Sequence, residues 1–118
     1  MTSATVTVHR SNNEGTVGAA LGAATLAHHR VVVMDLGVGE TPDLPLVVVV
    51  AGGSDGHEVI PVSSVTTNDV RGTRWVALEL ARDASGEVSQ EPPQGLDVEG
   101  TSDKPWYCWL FPQAPGCP

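Results

Sequence analysis

Three groups of residues have side chains suited to chemistry: the histidines His9, His28, His29 and His57, the cysteines Cys108 and Cys117, and a terminal aromatic run. Histidines hold metals when two or more converge on one ion. No His-x-His or Cys-x-x-Cys spacing occurs, and the adjacent His28 and His29 would face opposite sides of a strand. Solvated histidines at turns are the expectation. "GVGETPDLP" (37–45) and "GGSDGHE" (52–58) carry the glycines of phosphate-cradling loops, but neither precedes a helical pattern and neither has the P-loop lysine. Plain turns fit better. No carboxylate pair stands out among the many acids. No catalytic residue, metal ligand or cofactor site is assigned.

The terminal run is different. "WYCWLFPQAPGC" (106–117) holds four of the five aromatic residues and both cysteines. Three readings of it are open. Trp106, Tyr107, Trp109 and Phe111 fold back as a cap on a body poor in aromatics. Or Cys108 and Cys117 close a disulfide, conditional on an oxidising compartment, with Pro115-Gly116 suited to a type II turn. Such a loop would present Trp106, Tyr107, Trp109, Leu110, Phe111 and Pro112 to a protein partner. The third reading is a precursor of a ribosomally synthesised, post-translationally modified peptide. Its folded leader would be 1–88 and its core about 104–118, worked on by a modifying enzyme that grips the body.

The elements behind the tail read as β. "TVTVHR" (5–10) alternates and is rich in β-branched residues. Strands are expected at 16–25 and 30–36, joined tightly near His28 and His29, and a Val-rich central strand at 46–51. A hairpin arm follows at 57–65, with Pro61 placed where no ladder N–H is needed. "TTNDVRG" (66–72) reads as a turn. In the strand at 73–82, Trp75, Ala77 and Glu79 share one face and Val76, Leu78 and Leu80 the other. Six short strands at close spacing predict an all-β fold, a small six-stranded barrel or sandwich with an irregular C-terminal tail. Its core must be aliphatic, because Trp75 is the one aromatic outside the tail. The divisions expected are a β domain at 1–88, an acidic Pro/Gly linker at 89–105 and the tail at 106–118. The linker segment has too little apolar surface to offset its ordering entropy.

Residues 15–82 resemble the N-terminal β-barrel of trypsin-like serine proteases. "VGAALGAATLAHHRVVVMDLGV" resembles the family segment that ends in the catalytic histidine, and "TRWVALEL" the segment that carries the catalytic aspartate. "VVVVAGGSDGHEVIPVSSV" fits the strands between them. Gly37 occupies the histidine position and Arg74 the aspartate position, and no Gly-Asp-Ser-Gly nucleophile segment exists. The resemblance therefore implies a pseudoenzyme: the barrel reused without the triad, which needs all three groups in contact.

The formal charge of −8 bounds the partners. Residues 1–88 carry five Arg against ten acids, and 89–118 carry Lys104 against four, with no basic run. Binding to nucleic acid or to anionic membranes is disfavoured, because phosphates must be neutralised by cations. The start lacks the basic-then-apolar pattern of a signal peptide, which predicts a cytoplasmic protein, or an extracellular one if the chain is a mature form. Taken together, the expectation is a non-enzymatic binding module for a protein partner, with the peptide precursor as the alternative.

Overall fold

The structure is a computed structural model that describes residues 5–12, 16–36, 42–53, 56–85, 88–89 and 106–117. Six strands and one short helix follow one another: β1 (Thr5–Ser11), β2 (Val17–His28), β3 (Val31–Asp35), β4 (Leu46–Gly53), β5 (Gly56–Val70), β6 (Thr73–Leu80) and α1 (Trp106–Leu110). The strands close into one antiparallel barrel in the order β1-β2-β3-β6-β5-β4. Closure leaves each central Val-rich strand with partners on both sides; β4 lies between β1 and β5.

Two long strands turn the corners. β2 pairs with β1 up to Ala24 and with β3 from Thr25 onward. β5 pairs with β4 as far as Pro61 and with β6 from Val62 to Val70. Pro61 thus sits at the changeover, where the ladder to β4 ends. Register shifts mark both strands, at Val8/His9 against β2 and at Val62/Ser64 against β6. Bulges of this kind bend a strand and let it serve two sheets.

The barrel interior is aliphatic. Val6, Val8, Leu26, Val32, Met34, Leu46, Val48, Val50, Ile60, Val62, Val76, Leu78, Leu80 and Ala84 form one buried cluster. Along β6 the alternation is as expected: Val76, Leu78 and Leu80 point in, while Trp75 and Ala77 belong to a second cluster. That second cluster lies on the outer face of β3 and β6, where Val31, Val33, Trp75 and Ala77 meet Trp106, Tyr107, Cys108, Leu110 and Phe111.

Three boundaries differ from expectation. β2 continues to His28 rather than stopping at 25, and its turn is His29-Arg30. Residues 66–70 are strand, not turn: β5 runs on to Val70, and the reversal is confined to Arg71 and Gly72, both at positive φ (52° and 82°). Two such residues in succession make the hairpin turn whose twist suits its strands. Residues 106–110 form a helical turn within a tail expected to be irregular. Within the expected linker, residues 90–105 lie outside the described residues.

Candidate functional site

The tail is tied to the barrel at its entry. The Ser89 N–H donates to the Leu26 carbonyl at 2.8 Å, and the Trp106 indole N–H donates to the Ser89 carbonyl at 3.2 Å. The ends of the segment between residues 89 and 106 are thereby held together. α1 buries Trp106, Tyr107, Cys108 and Leu110 and leaves Trp109 exposed. The four buried side chains pack with Val31, Val33, Trp75 and Ala77 on the outer face of the barrel.

A helix of one turn leaves its C-terminal carbonyls without helical partners. The Asn68 side chain meets this need at Leu110, and two backbone bonds continue the chain path around it. The Phe111 N–H donates to Tyr107 O at 2.9 Å, the Ala114 N–H to Phe111 O at 3.0 Å, and the Asn68 amide on β5 to Leu110 O at 2.9 Å. The chain then reverses again. The Cys117 N–H donates to Ala114 O at 3.2 Å across Pro115 and Gly116, with Gly116 at φ 86°, the geometry of a type II turn. This returns Cys117 to Cys108, where a disulfide joins Cα atoms 5.6 Å apart.

Tyr107 is the centre of this clasp. Its side chain is 1% exposed, and its hydroxyl donates to the Pro115 carbonyl at 2.7 Å. Burial raises the phenol above its ordinary range. Its ring stands nearly perpendicular to Trp106, centroids 6.0 Å apart, and lies 6.2 Å from the His28 ring. A Cβ at Gly116 would fall 2.5 Å from the Tyr107 hydroxyl and 2.8 Å from the His28 ring. Glycine is therefore required there twice over, by φ and by space.

The surroundings of His28 disfavour its charged form. Its pKa is lowered first by partial burial, then by the neighbouring His29 and Arg30, with Asp83 opposing. Its Nδ1 accepts the Arg30 N–H at 3.2 Å, a bond that protonation would abolish. His29 donates from Nδ1 to Ala84 O, and His9 bridges Gly18 O and the Thr7 hydroxyl. His57 is exposed on β5. Among the described residues no three His, Cys, Asp or Glu side chains gather as metal ligands.

The residues predicted to contact a partner are thus brought together but not all presented. Trp106, Tyr107, Leu110 and Phe111 are 7%, 1%, 8% and 3% exposed, packed in the second core. Trp109 is 46% exposed, and Pro112 is exposed as well. Two of the three readings of the tail therefore meet in one structure: it folds back to complete a core that the outer barrel face begins, and Cys108 and Cys117 close a disulfide. His28, Asn68, Ser89 and Gly116 hold the clasp in place; residue type points to Gly116 through its turn and to His28 at the link after β2, and to neither Asn68 nor Ser89.

Of the positions laid against a protease triad, Gly37 lies outside the described residues. Arg74 lies on β6 and pairs with Asp69 at 3.0 Å. Beside the clasp, a groove of about 370 Å³ runs between its outer loop and the face of β5 and β6. No helix among the described residues is long and apolar enough to cross a membrane. No protein-family model matches this chain, and no curated protein or solved structure matches it either.

Proposed function

We propose that the protein is a non-enzymatic binding module whose disulfide-closed clasp presents Trp109, flanked by Pro112, to a protein partner. The observation that carries this is the contrast within one helical turn: three large side chains are buried on the barrel while Trp109 is 46% exposed. An indole held at the surface on a cross-linked support loses little freedom on binding, which is what makes an aromatic an effective anchor. Disulfides persist where reductants are scarce, so the working form belongs in an oxidising compartment rather than the cytoplasm. The likeness of 15–82 to a trypsin-like barrel enters as part of this reading, a barrel used as a support without protease chemistry.

The peptide-precursor reading has less behind it. A modifying enzyme would have to lift Trp106 and Tyr107 out of a packed layer and open the Cys108–Cys117 bond. A core segment is better served by a free tail.

The test uses a partner found by cross-linking in the native source, purified and titrated against the oxidised chain. Trp109→Ala should weaken binding by at least ~2 kcal/mol, or about thirtyfold, as loss of a central aromatic anchor does. The melting midpoint of the variant, measured alongside, separates loss of the anchor from loss of the fold, and the affinity is expected to fall further than any change in the folded fraction accounts for. Unchanged affinity would contradict the proposal.

A further inference from the structure

We infer that the groove beside the clasp is a receptor for a short cationic and apolar segment of the protein partner, with Glu79 as the acceptor of its positive charge. This deepens the binding-module reading and rests on it, but uses a different surface from Trp109, which does not line the groove. One wall is the outer face of the sheet, where Thr66 stands opposite Ala77, and Glu79 is opposite Ser64 on one side and Val31 on the other. The second wall is Phe111 to Pro115 of the clasp. Its volume of about 370 Å³ is at the low end for small-ligand sites and suits one or two side chains rather than a cofactor.

The chemistry of the lining selects the occupant. Pro112 and Ala114 offer an apolar strip beside Thr66, Thr67 and Gln113, and Glu79 is the one charged residue in the lining among the described residues. The Ser64 hydroxyl donates to Glu79 Oε2 at 3.2 Å, which fixes the carboxylate at the mouth of the groove. The chain as a whole carries −8, so a basic segment is attracted from a distance and an acidic one repelled. A lysine or arginine fits both demands, since its aliphatic stem can lie along the apolar strip while its charge reaches Glu79.

The probe is an end-blocked hexapeptide of alternating lysine and leucine, titrated into the oxidised, isotope-labelled full chain and followed by backbone amide shifts. Saturable shifts are expected at Thr66, Ala77, Gln113 and Ala114. Glu79→Gln, which keeps an oxygen for Ser64, should weaken binding at least tenfold, and Thr66→Arg, a cation placed at an exposed position on the wall, should do the same. A peptide with glutamate in place of lysine should not bind, and Trp109→Ala should leave the lysine peptide's affinity unchanged. Absence of saturable shifts at those amides, equal binding of the acidic peptide, or an affinity untouched by both groove variants would each overturn the inference. Failure here together with loss of partner binding in Trp109→Ala would remove the groove and leave the presented indole standing.

Discussion

Tyr107→Ala is expected to cost about 3–5 kcal/mol of folding stability, the range for truncating a large buried aromatic. For a chain of 118 residues this is roughly a 10–20 °C fall in melting midpoint. The effect is large because several contacts are lost together. The ring fills the space between Trp106, His28 and Gly116, and the hydroxyl holds the Pro115 carbonyl. Tyr107→Phe separates the two contributions: it keeps the ring and should cost only about 1 kcal/mol, the net value of one hydrogen bond. Urea denaturation of the three chains measures both numbers. A loss under 1 kcal/mol for the alanine variant would mean that the tail does not rest on the barrel as described.

Removing the disulfide is expected to cost about 2–3 kcal/mol, because the loop it closes is short and the stabilisation comes mainly from restricting the unfolded chain. Cys108 is 3% exposed and Cys117 half-buried, so Cys108→Ala with Cys117→Ser avoids burying a hydroxyl. The variant should keep the β-sheet circular dichroism of the barrel, whose aliphatic interior does not touch the cysteines. Any partner should also bind it more weakly than the oxidised chain, since Trp109 would then have to be ordered on binding. Reduction of the unsubstituted chain should reproduce both effects. Equal stability with and without the bond would show that the barrel face alone holds the clasp.

The barrel was legible because its signal is local. Alternation in "TVTVHR" and "TRWVALEL" marks inward and outward faces, and a short, β-branched Val run bounded by turns fits a strand with partners on both sides. What covers an outward face is not local, and so the pairing of Trp75 and Ala77 with the tail was missed. The same alternation that placed them opposite Val76 and Leu78 is silent about a segment thirty residues further on. The extent of β5 was missed for a different reason. Its second half, "TTNDV", is polar because its side chains lie at the surface, and polarity at a hairpin imitates a turn. Two threonines there, β-branched and suited to strands, were the available signal.

The tail itself was half legible. Clustering of aromatics and cysteines singled out the right stretch, and the turn at Pro115-Gly116 follows from residue type. The one-turn helix is too short for periodicity to reveal, and helical spacing does not set Trp109 apart, since a residue three after Trp106 lies on a neighbouring part of the same face. Asn68 and Ser89, which anchor α1 from elsewhere in the chain, leave no mark in sequence. Their role depends on two carbonyl positions that exist only once the barrel has closed.

The most direct test is oxidative footprinting of the intact, oxidised chain, read by mass spectrometry at each tryptophan. Trp109 should be modified several times faster than Trp75 and Trp106, which are 3% and 7% exposed. If Trp106 is modified as fast as Trp109, the aromatic run is not docked on the barrel and the clasp described here does not exist.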